Sequence, residues 1–240
     1  MQVIDAFWEK RNLGIEAIEF VIDNGDSEQI IDEILKLEKQ YNVIKLPVNK
    51  PEIMLLLQKN GYYFVECMIN MIHDLTETKV NIVKNIKKFE TTCFPMAETD
   101  IIELYNEIDN GLFNSDRIYN DSFFSKESAA LRYKNWISDE RKKGSVCYKV
   151  VFRNITVGFF ILKIPDNKVV NPFLIGIYKK YANKGFGISM ACNLINECIN
   201  IGAKQISGYV SSNNLAIIKV DELLGYSINE IEYVFIKHNT

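Results

Sequence analysis

Apolar residues alternate with polar ones in some stretches of the chain and recur every three or four positions in others. The switch between those two periods marks out the elements. The run "IEAIEFVID" (15–23) reads as a strand, and "NGDS" after it as a turn. Asp26 or Ser27 can cap the helix that follows, where Ile30, Ile31, Ile34, Leu35 and Leu37 fall at helical spacing. "YNVIKLP" (41–47) reads as a second strand, Pro51 opens a short helix ending at Gly61, and "YYFVECMINMI" (62–72) reads as a third strand.

The pattern then repeats at greater length. "FETTCF" (89–94) is a strand, followed by helices at about 97–109 and 126–142. Strands follow at 145–153, 156–164 and 168–178, then a helix at 186–201, a strand at 205–210, a helix at 214–224 and a last strand at 227–237. This βααβββαβαβ order implies an α/β (α+β mixed-sheet) domain with largely consecutive strands. "LLLQKNGYYFVECMINMI" in the first part echoes "VDELLGYSINEIEYVFI" near the end. Two readings stand: a common helix-to-strand junction with a glycine cap, or a first segment that is a degenerate relative of the second.

Composition narrows the class. The chain has 240 residues, enough for two small domains, and the polar stretch 73–88 divides it into 1–85 and 89–240. The formal net charge is −3 and no run of five or more Lys and Arg occurs, which argues against a nucleic-acid or membrane surface. Asp5, Glu9 and Lys10 interrupt the N-terminal decapeptide, so it lacks the apolar core of a signal peptide, and no apolar run approaches a membrane span. Five scattered cysteines without a CxxC pair and two histidines leave little from which to build a metal site. A reduced, cytoplasmic protein without a metal is the expectation.

The most informative stretch is "KKYANKGFGISMACNLI" (179–195). Gly185 and Gly187 stand one residue apart where an apolar helix begins, and Lys179, Lys180 and Lys184 surround them. A helix start exposes unpaired N–H groups and the positive end of its dipole, so it suits a phosphate. A plain helix start after a flexible turn is the alternative. The three-glycine dinucleotide fingerprint and the Walker A pattern are both absent.

Set in its order of elements, the second segment resembles the GNAT superfamily of acetyl-CoA-dependent N-acetyltransferases. Their pyrophosphate loop reads Arg/Gln-x-x-Gly-x-Gly/Ala, and Ala182-Asn183-Lys184-Gly185-Phe186-Gly187 carries both glycines, with Ala182 in place of the leading Arg or Gln. The strand Ile175-Gly176-Ile177 resembles the splayed strand whose main chain pairs with pantetheine, and Asn214 with Leu224-Gly225-Tyr226 resembles the second motif. The resemblance covers about 89–240 and implies a GNAT acyl-CoA N-acyltransferase fold preceded by a small α/β N-terminal domain. It also implies acetyl-CoA as cosubstrate, held by Ile175, Ile177, the loop Ala182 to Ile188, and Asn214. The stretches 115–137 and 7–22 look like the two-domain acetyltransferases of nucleotide-linked amino sugars, the dTDP-fucosamine acetyltransferase family being the nearest.

Acetyl transfer to an amine needs an unprotonated nitrogen, an aligned thioester, donors for the oxyanion and a proton for the departing thiolate. In the family a Tyr seven residues after the Asn commonly supplies that proton; here the position is Asp221. An Asp with an ordinary pKa near 3.9 would be charged at neutral pH, and keeping it neutral means raising that pKa by about 3 units. Asp221 sits at the margin of the apolar arc formed by Ala216, Ile217, Val220, Leu223 and Leu224, which suits either the rim of a cleft or a solvated position beside Glu222. Tyr226, Tyr209 and Tyr233 are substitute proton donors. Arg117, Tyr119 and Asp121 are candidate acceptor contacts, Tyr133 and Trp136 read as core, and His73 and His238 lie outside the motifs, His73 in the linker.

These readings lead to an N-acetyltransferase acting by direct attack of a primary amine, that of a nucleotide-activated amino sugar, on the thioester. The alternative is a CoA-binding protein with little transferase activity, motivated by Ala182 and Asp221. The N-terminal segment is free to shape the acceptor site, to pack a homodimer, or to brace the catalytic domain.

Overall fold

The computed structural model describes residues 1–23, 25–76, 89–165 and 167–239. The first part of the chain forms β1 (Gln2–Asp5), α1 (Trp8–Leu13), β2 (Ala17–Val21), α2 (Ile30–Leu37), β3 (Tyr41–Pro47), α3 (Pro51–Lys59) and β4 (Tyr63–Asp74). The second forms β5 (Thr92–Pro95), α4 (Glu98–Asp109), α5 (Arg117–Asn120), α6 (Lys126–Lys142), β6 (Val146–Phe152), β7 (Ile155–Lys163) and β8 (Val169–Ile177). A 3₁₀ turn (Lys179–Tyr181) then leads to α7 (Phe186–Asn200), β9 (Gln205–Ser211), α8 (Leu215–Leu223) and β10 (Ser227–His238).

Local chemistry sets several boundaries. Pro51 occupies the first turn of α3, where a missing N–H costs nothing. Asp116 accepts from the Ile118 and Tyr119 amides to start α5, and Ser125 accepts from the Ser128 amide to start α6. β1, α1 and α5 have four to six residues each, too few for a clear period, and the sequence reading missed all three. His73, placed by that reading in the linker, belongs to β4. The remainder of that linker, 77–88, lies outside the described residues.

Among the described residues the strands make one ten-stranded mixed sheet in the order β1-β2-β3-β10-β4-β9-β8-β7-β6-β5. The two parts of the chain therefore interleave, with β10 between β3 and β4 and β4 between β10 and β9. In the first part, β1 and β2 pair antiparallel, α2 leads to β3 parallel to β2, and α3 leads to β4. In the second, β7 and β8 pair antiparallel, α7 leads to β9 parallel to β8, and α8 leads to β10. The same unit thus occurs twice, and each copy donates its last strand to the other.

The register of β4 with β10 carries the same relation. Laying Gly61 on Gly225 maps Cys67↔Tyr233 onto Ile69↔Ile231 and Glu66↔Val234 onto Asn70↔Glu230, with Met68↔Glu232 mapping onto itself. The echo between the two helix-Gly-Tyr-strand segments is one visible piece of this local two-fold.

Four apolar clusters hold the layers together. Ile18, Phe20, Ile34, Ile44, Ile53 and Leu57 seal α2 and α3 onto the first unit. Val157, Phe160, Leu162, Met190, Leu194 and Ile206 seal α7 onto the second. On the opposite face α4 and α6 pack through Ile101, Leu104 and Ile137 against Phe159 and Ile161. A fourth cluster joins Ile118 and Ala129 to Tyr41, Val43 and Val234, tying α5 and α6 to the first unit. Fully burying one such aliphatic side chain contributes about 1.5–3 kcal/mol.

Candidate active site

β8 and β9 are parallel neighbours at only two positions, Val169↔Gln205 and Val170↔Ile206. Beyond them the Asn171 side-chain Nδ2 donates to the Ser207 carbonyl at 2.7 Å, and from there the strands run on without pairing to each other. β8 stays on β7 as far as Ile177, and β9 stays on β4 as far as Ser211. Each keeps its outer ladder while the inner edges part, which leaves main-chain donors and acceptors of β8 facing the gap.

The loop at the mouth of this gap is shaped by left-handed residues. Asn183 has φ 60° and Gly185, which precedes α7, has φ 96°. These turns bring the chain from the 3₁₀ turn into α7, so the first amides of α7 are free of helical partners. Lys184 lies 5.5 Å from the Tyr181 ring centre. A Cβ on Gly187 would stand 3.7 Å from Val220 Cγ2, an ordinary contact.

Behind the gap is a cavity of about 250 Å³. Its inner wall is formed by Ala191 and Leu194 of α7, Asn214, Ile217 and Asp221 at α8, and Tyr226. The Asn214 side chain accepts from the Ile217 amide at 3.4 Å and so starts α8. Asp221 is buried, and desolvation pushes its pKa up to about 7. The Tyr226 amide donates to the Asp221 carbonyl at 2.9 Å. Burial first, and then the nearby Asp221 carboxylate, hold the Tyr226 phenol well above its ordinary value. Its ring stacks on His73, centroids 4.7 Å apart.

No family model matches the sequence, and a search of curated proteins found no match. Solved structures do match. One is a GCN5-related N-acetyltransferase from Sphaerobacter thermophilus, with a TM-score of 0.65 at 11% identity over 99% of this chain and 75% of that one. Another from Kribbella flavida gives 0.58 at 12% identity, covering 94% and 82%. A tandem GNAT protein from the clavulanic acid biosynthesis pathway gives 0.59 at 8% identity, covering 92% and 75%. The chain has the GNAT fold.

Within the GNAT fold the expected cosubstrate residues divide by position. Ile175, Ile177 and Ile188 are all partly buried against the second unit's core, and Ile175 also lines the cavity. Ala182 to Gly185 form the exposed loop, and Phe186 is buried, stacked on Phe89 at 4.5 Å. The Phe186 side chain is part of the core, and Ile188 is partly buried.

The acceptor candidates separate as well. Arg117 lines the far end of the cavity and donates to Glu19 at 3.1 Å. Asp121 accepts from the His238 ring at 2.8 Å and does not line the cavity. Tyr119 borders a neighbouring surface pocket beside Lys126, whose ammonium sits over its ring. Of the substitute phenols, Tyr226 and Tyr209 line the cavity, while Tyr233 packs on Phe64 in the first unit. Tyr133 and Trp136 belong to the core beneath α6 and also face the cavity.

Glu66 of β4 faces the same space, and the sequence reading passed over it. The signal that could have marked it is a charged residue inside an otherwise apolar strand. What puts it at the cavity is the insertion of β4 beside β9, a long-range pairing.

Proposed function

We propose that the protein is an acetyl-CoA-dependent N-acetyltransferase. The observation that carries this reading is the parting of β8 from β9 after two ladder pairs, with the Gly185 loop at one end of the gap and buried Asp221 along it. The open edge of β8 would pair with the amides of a pantetheine arm, and the first amides of α7 with Lys184 would meet a pyrophosphate. Bound acetyl-CoA supplies an activated thioester. Asp221, held near neutrality by burial, is the proposed proton donor to the departing sulfur, with Tyr226 beside it. A Tyr at this position would be a donor by its ordinary pKa; Asp221 reaches the same condition through desolvation.

The finer assignment is an amine on a nucleotide-linked amino sugar, acetylated by a cytoplasmic enzyme. The likeness of 7–22 and 115–137 to the dTDP-fucosamine acetyltransferases supports it, as does the place of Arg117 at the far end of the cavity. Five free cysteines suit a reducing compartment. Residues 1–85 are proposed to brace the acceptor side for the domain at 89–240, in preference to packing a homodimer. Ala182 at the start of the loop favours a second reading, a CoA-binding protein with little transfer activity.

Calorimetric titration of acetyl-CoA, with ADP-ribose as the control for general phosphate affinity, tests the first step. Selective binding near micromolar, about −8 kcal/mol, is expected. Equal binding of both compounds would reject the cradle. Release of CoA thiol with a panel of amines separates the enzyme from the binding protein, since binding without turnover supports only the latter.

A further inference from the structure

The far end of the cavity is walled by charged groups, and nearly all of them already have partners. Arg132 donates to Glu9 at 2.7 Å. Arg117 and Lys45 each donate to Glu19 at 3.1 Å. Asp116 accepts from the Tyr133 hydroxyl at 2.5 Å and from two amides at the start of α5. One carboxylate remains short of donors. Glu66 is 2% exposed, and its hydrogen-bond donor among the described residues is the neutral hydroxyl of Ser211. Arg117 Nε–H, also buried, interacts with the Tyr41 hydroxyl.

A buried carboxylate served by one neutral donor is costly. It calls for a cationic donor, and the two guanidinium groups that act on it, Arg117 and Arg132, already donate to Glu19 and Glu9. We propose that Glu66 anchors the ammonium of the acceptor, a compact primary amine. This rests on the acetyltransferase reading. It places an acceptor residue on β4, a strand of the first unit, and so assigns that unit a part in the reaction. Burial raises the Glu66 pKa, which suits a group that also takes up a proton.

The protons balance as follows. Glu66 takes one proton from the ammonium, and the freed nitrogen lone pair forms the C–N bond while the C–S bond breaks. Asp221 gives its proton to the sulfur, and the proton shed by the nitrogen as it becomes an amide restores Asp221. One proton leaves through Glu66 per turnover.

The test compares wild type with Glu66→Gln, which keeps the shape and the Ser211 contact but removes the charge. Ethanolamine, D-glucosamine, L-serine and propylamine are the probes. Glu66→Gln is expected to bind acetyl-CoA within twofold of wild type and to lose at least 30-fold in kcat/KM for each amine that wild type accepts, chiefly through KM. A kcat/KM within threefold of wild type overturns the Glu66 assignment and leaves the acetyltransferase reading intact. Failure of wild type to bind acetyl-CoA overturns that reading instead. Direct titration of the same amines then decides on Glu66: binding by wild type at least tenfold tighter than by the variant supports the anchor, and equal binding, or none by either, overturns it. Should the Gln variant not fold, Glu66→Asp carries the test, with a tenfold rise in amine KM expected and an unchanged KM overturning the proposal.

Discussion

Met68 of β4 lies opposite Glu232 of β10, and the pairs on either side of them are related by a local two-fold through this point. Two units of four strands, alike except for α1 between the first two strands of one, therefore meet by exchanging their last strands, each completing the other's half of the sheet. The exchange brings Glu66 of the first unit to the cavity of the second. It also means that neither half has its own full sheet without the other.

The duplication is of fold, and the two gaps differ. β2 and β3 stay paired through five positions, from Ala17↔Tyr41 to Val21↔Lys45, where β8 and β9 part after two. The loop that corresponds to the glycine cradle carries Asp23, Asp26 and Glu28, which repel a pyrophosphate. Calorimetry should give one acetyl-CoA per chain. A stoichiometry of two would contradict this assignment.

Asp221 makes stability depend on pH. Burial raises its pKa from 3.8 to about 7. Below the lower value both folded and unfolded chains hold the proton. As pH rises between the two values only the folded chain keeps it, so its contribution to stability is progressively lost and is gone above 7. The full span is about 4 kcal/mol as an upper figure. Asp221→Asn removes this penalty, so its melting temperature should gain on wild type as pH is taken from 4.5 to 8. A difference between the two proteins that stays constant over that range would show that Asp221 titrates like a solvated carboxylate.

Asp221→Asn and Tyr226→Phe decide which group protonates the thiolate. A general acid contributes a factor of about 10²–10⁴. Asp221→Asn is expected to lower kcat by about 100-fold, while Tyr226→Phe, which retains the stack on His73, should remain within threefold. The reverse pattern would move the role to Tyr226. Activity of the wild type should fall above pH 7 as Asp221 loses its proton.

Two glycines separate folding from binding. A Cβ on Gly158 would lie 2.5 Å from the Gly176 carbonyl oxygen and 3.2 Å from Ile177 Cα, backbone that cannot move aside cheaply. Gly158→Ala should destabilise the fold by about 1–3 kcal/mol, read as a lower denaturation midpoint. Gly187 has room for a methyl group against Val220. Gly187→Ala should melt like wild type yet bind acetyl-CoA about tenfold more weakly, near 1.4 kcal/mol, if the loop backbone approaches the pyrophosphate. Unchanged affinity would remove Gly187 from the cradle.

Local signals were enough for most elements. Ser125 and the helical period delimit α6 at 126–142, and "YNVIKLP" delimits β3, because capping and side-chain alternation act within a few residues. The Gly185 turn is equally local and was legible, whereas Asn214 was marked only by the family motif and its capping bond emerged with the structure. Leu223 shows the limit: periodicity puts it on the apolar arc of α8, yet it is exposed, while Asp221 at the arc's margin is buried. Which face of a helix is covered depends on what packs against it, and α8 lies over the edge of a gap. The long-range pairings, with β10 entering between β3 and β4 and β4 beside β9, fall outside any sequence window. Only those pairings bring Glu66 to Arg117 and raise Asp221 toward neutrality, since desolvation depends on how distant strands and helices close around a side chain.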